Sequence, residues 1–458
     1  MVTLIRFRTS IVYLNKIIII VSTLVIFLFA LFRYYTQAVF FYNGNFVLAF
    51  VYLIVFLMFG ITYGYSRIGI LRLGELVYSY CLSLIFTNII IYFVISLICE
   101  TLLNPIAILF MTMLQMLLGA VLYYFFNKIY FALHPSRDCV VIMSGSEQEL
   151  KIVSKFKRMR DRYSINRVLN ANSGYDALCA AIEPFSLVIV IYIDQELRAK
   201  LMAYCFEKDK QLFLMPSLQD IMLHNAHEIY IEDSPAYLCR NKRPTQEQLI
   251  VKRAMDIIVS VLSIVVFSPL MLLISTAIKL CDGGSVFYMQ KRLTIHGHEF
   301  TLIKFRSMIE DAEKDGKARM AGENDVRITQ VGKIIRAIHF DEFPQFINIL
   351  LGNMSLVGPR PERPEIFEEY SKIFPEFHYR LKMKAGLTGY AQICGKYNTS
   401  FEDKVKMDLL YIERYSLLND LRLLLATIKI LFMKESAQGI PPEIIVSYKR
   451  KIFTEDML

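Results

Sequence analysis

Four uncharged apolar runs constrain this chain more than any other feature. They lie at roughly Ile17 to Phe32, Phe46 to Tyr65, Tyr80 to Cys99 and Ile106 to Asn127, and none contains Asp, Glu, Lys or Arg. Each approaches the ~20 residues that carry an α-helix across a bilayer. The first run lacks a small-residue cleavage site and is followed by three more, so it is read as a span and not as a removable leader. The short loops orient the set. Arg6, Arg8 and Lys16 precede the first span, Arg67 and Arg72 separate the second from the third, and Lys128 and Arg137 follow the fourth. The stretch Tyr34 to Asn45 has no basic residue, and Glu100 to Pro105 carries only an acid. The excess of Lys and Arg on one side places both ends of this four-span bundle, residues 1–137, in the cytosol.

Composition agrees. Of 458 residues, 55% are hydrophobic, with 33 Phe and 27 Tyr, which exceeds what soluble cores use. The net charge of +9 suits anionic partners such as membrane surfaces, phosphates or nucleic acid, without choosing among them. The eight cysteines include no Cys-x-x-Cys spacing, which argues against a zinc site or redox motif and for reduced, buried thiols.

Residues 138–240 change pattern. Cys139 to Met143 and Leu187 to Ile193 are short β-branched runs with the character of buried parallel strands, and Gln211 to Met215 is a third. Gln148 to Tyr163 and Asp194 to Phe206 have helical patterning, so an open α/β domain is expected. The turn Ser144-Gly145-Ser146-Glu147 has one glycine where a dinucleotide fingerprint has three, and an acid where pyrophosphate would dock. A structural or regulatory role is favoured over cofactor binding. A polar linker, residues 241–248, leads to a fifth apolar run at 249–281, interrupted by Ser268-Pro269. Proline breaks or kinks a helix. A full crossing would send the basic final region, 282–458, to the outside. A re-entrant helix that bends at Ser268-Pro269 keeps it cytosolic, and this course is expected, with a kinked fifth span as the alternative.

The chemistry concentrates in the final region. Basic groups recur at Lys291-Arg292, Lys304-Phe305-Arg306, Arg327, Lys333 and Arg336 ahead of the acidic pair Asp341-Glu342. The glycine- and proline-rich segment Gly352 to Pro361 presents Arg360, with Arg363 beyond it. Guanidinium forks match phosphate oxygens, and adjacent carboxylates among them suit Mg²⁺, which takes oxygen ligands and bridges to substrate phosphates. Together these features describe phosphoryl transfer, in which positioning and charge neutralisation do most of the work. A lone Asp-Glu pair before Phe343-Pro344 also fits the first turn of a helix, and the two readings are compatible. His339 fits either a general base or a local structural residue.

The ordered set Gln290-x-Arg292, Lys304-Phe-Arg-Ser-Met308, Asp325-x-Arg327-x-Thr329, Asp341-Glu-Phe-Pro-Gln345, Gly352-Asn-Met-Ser-Leu-Val-Gly-Pro-Arg-Pro361 and Ala385-Gly-Leu-Thr-Gly-Tyr-Ala-Gln392 closely resembles the bacterial sugar transferases. These are the polyprenyl-phosphate hexose-1-phosphate transferases of the monotopic phosphoglycosyl transferase superfamily. The resemblance covers about Gln248 to Met433, and the upstream regions are similar to the long-form members of capsule and exopolysaccharide synthesis. It implies a mostly α-helical catalytic domain at the bacterial inner membrane, facing the cytosol, that moves a sugar-1-phosphate from a UDP-sugar to undecaprenyl phosphate. Glucose or galactose 1-phosphate is the first expectation, and an N-acetylated amino sugar the alternative. It further implies Asp341 as the nucleophile, Glu342 as a Mg²⁺ ligand and Arg360 as a phosphate or nucleotide contact. Lys304, Arg306, Gln290, Arg292, Arg336 and Arg363 remain unsorted among lipid phosphate, nucleotide and structural ion pairs. Asp408 and Tyr411 are family-like positions without an assigned role. Nucleic acid is not an expected partner, and the α/β region offers a surface for self-association. Ala385, Tyr390, Asn353 and Phe343 depart from the family's usual residues, and none of these departures alters the Asp341-Glu342 dyad itself.

Two other function classes compete. A transporter needs polar or ionisable groups inside the membrane, which the four spans are read as lacking. A tethered ligand sensor would leave the motif set unexplained.

Overall fold

The computed structural model describes residues 8–35, 44–239, 244–309, 325–395 and 399–431, which fall into two compact units divided between Met215 and Pro216. Arg6, the loop 36–43, linker residues 241–243 and Phe432 lie outside the described residues.

In the first unit, helices Arg8–Tyr34, Gly44–Tyr63, Leu73–Ile98 and Ile106–Leu133 pack as a bundle, each long and apolar enough to cross a membrane. Its core is aromatic: Tyr52, Phe56, Tyr80 and Tyr123 are buried, while Phe29, Phe50 and Phe110 face outward. Gly119 is required where it stands, because a Cβ there would lie 2.0 Å from the Tyr80 ring. The expectation that the spans lack polar groups is corrected here. Buried Gln115 donates to the carbonyl of Thr23 and to Tyr52 Oη, both at 3.0 Å, and Asn88 donates to Gln115 Oε1 at 2.9 Å. These uncharged groups bond to one another across the helices, as polar residues do when they hold membrane helices together.

Four strands follow: β1 (Arg137–Met143), β2 (Tyr163–Asn170), β3 (Leu187–Val190) and β4 (Gln211–Leu214). They form one parallel sheet in the order β2-β1-β3-β4. The open α/β arrangement is as expected, with one strand more than the sequence patterning gave. The helix expected over Gln148 to Tyr163 spans only Glu147–Lys157, and a tight turn then feeds β2. The turn after β1 is closed by its own side chains. Glu149 Oε2 accepts from the backbone N–H of Gly145 at 2.7 Å and of Ser146 at 2.9 Å, so the acid that fills the phosphate position is Glu149, not Glu147.

The second unit is mostly helical and is organised by one 37-residue helix, Gln246–Asp282. Thr245 and Gln248 form its capping box and Gly283, at φ 72°, ends it in the left-handed region that glycine tolerates. The expected interruption at Ser268-Pro269 is not seen, because the helix continues through Pro269. Ser268 Oγ donates to the carbonyl of Val265 at 2.8 Å, the very acceptor that the missing proline N–H leaves open. Near the start of this helix, Lys252 is buried and bonded to Asp420 at 2.5 Å and to the Val357 carbonyl at 3.0 Å. Asp256 accepts from the backbone N–H of Leu356 at 2.9 Å. Near its end, Ile274 and Ile278 join a core with Phe305, Ile335 and Phe340. Between these anchored ends, Val265, Val266, Leu272 and Leu273 are exposed.

Candidate active site

The acidic pair sits on a short 3₁₀ turn, Phe340–Glu342, between helices Gln330–Ala337 and Gln345–Leu350. His339 makes the reversal possible by adopting φ 56°, and its exposed side chain leaves it a turn residue beside the pair. Phe340 and Phe343 flank the carboxylates and stack on each other at 3.8 Å, and Phe267 of the long helix packs edge-on against both. Arg253 of the same helix donates to the carbonyls of Ile349 and Leu350 at 2.6 and 2.7 Å, satisfying the C-terminal end of the helix that follows the pair.

Two cations converge on one carboxylate. Lys304 Nζ lies 2.6 Å from Glu342 Oε1 and Arg360 Nη2 lies 2.9 Å from the same oxygen. Arg360 and Lys304 hold the Glu342 carboxyl far below its usual range, overcoming the opposing effect of burial. Among the described residues, Asp341 has no hydrogen bond or ion pair of its own. Burial raises its pKa, the Glu342 charge adds to this, and Lys304, Arg336 and His339 oppose it. One carboxylate is therefore clamped and the other free.

Each cation is positioned by a buried side chain. Lys304 lies on strand Glu299–Phe305, which pairs antiparallel with Phe287–Leu293. Asn348 ties that strand to the helix after the pair, accepting from the N–H of Ile303 at 3.0 Å and donating to the carbonyl of Thr301 at 2.7 Å. Arg360 stands in a loop following strand Ser355–Val357, which runs parallel to Gly386–Thr388. The two motif loops lie backbone to backbone: a Cβ on Gly386 would come within 2.0 Å of Gly358 N, and one on Gly389 within 2.2 Å of Gly358 O. Beneath them, buried Arg380 donates to the carbonyl of Arg360 at 2.9 Å and to Glu362 at 3.3 Å, and it pairs with buried Asp408 at 2.8 Å. Arg292 donates to the carbonyl of Pro361 at 3.1 Å and to Gln290 Oε1 at 2.6 Å. Burial, then the nearby Arg360 and Arg363, push Arg292 down to about 10, against the pull of Glu362.

The expected site residues thus divide. Asp341, Glu342, Lys304 and Arg360 meet, and Arg336 acts on Asp341 through its charge. Gln290 and Arg292 support the loop that carries Arg360. Arg363 precedes helix Pro364–Ile373 beside Arg292. Arg306 is buried with its guanidinium against Gly284, where a Cβ would come within 1.9 Å of it. Asp325 and Arg327 pair with each other at 2.6 Å just ahead of helix Gln330–Ala337. Asp408 now has a role as the partner of Arg380, and Tyr411 donates to Asp420 at 2.9 Å beside Lys252. Arg380, Asn348, Glu362 and Lys252 did not stand out in sequence. The one signal for Asn348 was a lone polar residue within Phe346-Ile347-Asn348-Ile349-Leu350.

No cluster of three or more His, Cys, Asp or Glu occurs among the described residues. The donors present still fit Mg²⁺, which commonly takes one or two carboxylates and completes its shell with water and substrate phosphate. Both cations bond to Glu342 Oε1, so Oε2 and the Asp341 carboxylate are the hard oxygens on offer.

Comparison with known proteins defines the class. Residues 247–434 match the family model for bacterial sugar transferases. The chain is 37% identical over 191 residues to the exopolysaccharide production protein ExoY of Rhizobium meliloti, covering 39% of this chain and 83% of that protein. This chain belongs to the bacterial sugar transferase family. Two longer relatives are also similar. A UDP-glucose:undecaprenyl-phosphate glucose-1-phosphate transferase of Klebsiella pneumoniae is 40% identical over 41% of this chain and 42% of its own length. A UDP-N-acetylgalactosamine-undecaprenyl-phosphate N-acetylgalactosaminephosphotransferase of Aeromonas hydrophila is 39% identical over 41% of this chain and 44% of its own length. The match thus spans less than half the length of these two relatives.

Proposed function

We propose that this chain transfers a sugar-1-phosphate from a UDP-sugar to undecaprenyl phosphate, with Asp341 as a covalent nucleophile. The observation that carries this is the contrast within the dyad: Glu342 is held by Lys304 and Arg360, whereas Asp341 is half-buried, adjacent and, among the described residues, unpaired. A carboxylate that forms a bond to phosphorus must be free to approach it, and neighbouring cations must offset the repulsion between two anions.

In the first step an Asp341 oxygen bonds to the sugar-bearing phosphorus, and the bond to UMP breaks with its electron pair leaving on UMP. In the second, an oxygen of the lipid phosphate attacks the same phosphorus. The acyl phosphate bond breaks, which restores the carboxylate and yields the lipid diphosphate-linked sugar. Arg360 and Lys304 keep spare N–H donors for the phosphates while holding Glu342. Bound at Glu342, Mg²⁺ would supply charge neutralisation on the phosphate oxygens.

The long helix supports a monotopic placement, and the Lys and Arg bias of the upstream loops favours the cytosolic side of the bacterial inner membrane. Both of its ends pack on the same unit, through Lys252 and Asp256 at the start and Ile274 and Ile278 near the end. A helix crossing the ~30 Å hydrocarbon core would carry its ends to opposite sides. An anchor that enters, bends within the continuous helix at Pro269 and returns, with Val265, Val266, Leu272 and Leu273 in lipid, would keep the dyad at headgroup depth, and the four upstream helices then act as true spans.

The donor is a simple hexose or an N-acetylated amino sugar, and the two longer relatives are named for one of each. Membranes containing the protein are incubated with undecaprenyl phosphate, Mg²⁺ and each of UDP-glucose, UDP-galactose and the UDP-N-acetylhexosamines, and UMP is measured. Release with one donor identifies the sugar; no release with any donor contradicts the assignment.

A further inference from the structure

The first unit holds a cavity of about 430 Å³ remote in sequence from the dyad. Its walls come from the loop that joins the second and third bundle helices, the end of helix Ile106–Leu133, and the sheet. The strand contribution is one-sided: Arg137, Tyr163, Leu187 and Gln211 are the first residues of β1, β2, β3 and β4. Soluble ligands of open α/β sheets bind at the opposite, carboxyl edge. Here that edge has its β1 turn filled by Glu149. The cavity instead opens where the apolar helices end, the depth of lipid headgroups.

Its chemistry is mixed in the way an interfacial site requires. Tyr130, Phe131 and Phe213 give apolar walls, and Arg137 and Arg162 bring guanidinium groups, with Asp161 as the one acid. The site is braced. A Cβ on Gly69 would lie 2.1 Å from the Tyr130 ring, so loop and helix end are in close contact, and Arg162 donates to the carbonyl of Leu71 at 3.1 Å. Arg137 donates to Gln211 Oε1. A guanidinium has five N–H donors, so each arginine keeps donors for a further acceptor while anchored by the first bond.

We propose that this cavity binds the phosphate headgroup of an anionic membrane lipid, with Arg137 and Arg162 on the phosphate and the Tyr130–Phe131 end of the helix against the lipid's apolar portion. Bound lipid then joins the parallel sheet to the membrane surface. The occupant is a lipid and not a free anion because the walls are aromatic and the opening lies at the ends of the spans.

The full chain in detergent is titrated with short-chain phosphatidylglycerol, and binding is read by quenching of intrinsic tyrosine fluorescence and by native mass spectrometry. Parallel titrations use short-chain phosphatidylcholine, inorganic phosphate and UMP. Phosphatidylglycerol is expected to bind, Arg137→Gln to weaken it about tenfold, as loss of a charge-assisted hydrogen bond does, and Arg137→Lys to lose less. Arg137 is exposed, so its variants are expected to fold, and a lower unfolding temperature for Arg162→Gln alone would not bear on the Arg137 result. Binding of phosphatidylcholine, inorganic phosphate or UMP as tight as that of phosphatidylglycerol would overturn the assignment. So would no lipid binding, or binding that Arg137→Gln leaves unchanged. UMP release by the dyad is a separate readout, so its failure and the failure of this site are distinguishable.

Discussion

Two lysine–carboxylate pairs in the second unit are built alike and end in opposite roles. Lys252 and Asp420 meet at 2.5 Å with side chains 6% and 0% exposed. Tyr411 and the Val357 carbonyl complete their bonding, so the assembly is closed. Lys304 and Glu342 meet at 2.6 Å with side chains 19% and 17% exposed, and Arg360, at 47%, reaches the same oxygen from the open side. That assembly has cationic donors and carboxylate oxygens to spare, and Asp341 beside it is unpaired. The lesson is that an ion pair becomes a site through what it leaves unsatisfied, since a sealed pair offers nothing to a ligand.

The largest effect should come from opening the sealed pair. Lys252→Met leaves Asp420 buried without its cation and is expected to cost about 3–5 kcal/mol, seen as a lower unfolding midpoint in detergent. Adding Asp420→Leu should restore most of the loss, and a double variant no better than the single would show that the two pairs differ less than claimed. Next comes the support of the open pair. Arg380→Lys keeps the charge facing Asp408 but loses the planar fork that also reaches the Arg360 carbonyl. Turnover should fall ~10–100-fold, and the unfolding midpoint should fall by less than with Lys252→Met, because the charge facing Asp408 is kept while Glu362 and the Arg360 carbonyl lose a buried donor.

A smaller effect is expected in the pH profile. Asp341 must be ionised to attack, and its pKa is raised, so transfer should fail on acidification at a pH above the ordinary 3.8 of an aspartate. Lys304 opposes that rise, so Lys304→Met should move the acid limb of the residual activity to higher pH. A shift the other way would contradict the electrostatic account. Glu342, whose folded pKa is depressed, stays ionised throughout this window, and the stability it contributes is lost only below the ordinary 4.5 of a glutamate. The smallest effect belongs to Ser268→Ala, which uncovers the Val265 carbonyl and should cost about 1 kcal/mol or less in the unfolding midpoint.

Much of this was legible because it rests on local pattern. The apolar runs announced the bundle, and β-branched clusters such as Val140-Val141-Ile142 announced β1 and its parallel neighbours. Strand β2 escaped because Tyr-Ser-Ile-Asn-Arg-Val-Leu-Asn mixes polar residues through a strand at the sheet's edge. The proline at 269 suggested an interruption because its missing donor is visible in sequence, while the compensating Ser268 hydroxyl depends on rotamer geometry. In the site, the motif order brought out Asp341, Glu342, Lys304 and Arg360. It could not separate Arg306 from Lys304 two residues earlier, because alternation would put both on one face of a strand, whereas the strand ends at Phe305 and Arg306 turns in against Gly284. Arg380 and Lys252 were missed because their partners lie 28 and 168 residues away.

The central claim is that Asp341, left unpaired beside a clamped neighbour, becomes bonded to the sugar phosphate. Its most direct test is to incubate the protein with UDP-sugar carrying ³²P in the β-phosphate, omit the lipid, and look for label on the protein by denaturing electrophoresis and on the peptide by mass spectrometry. The account predicts label on the Asp341 peptide, its discharge on adding undecaprenyl phosphate, and none with Asp341→Asn. An Asp341→Asn variant that takes up label, or transfers sugar phosphate at an undiminished rate, would contradict it.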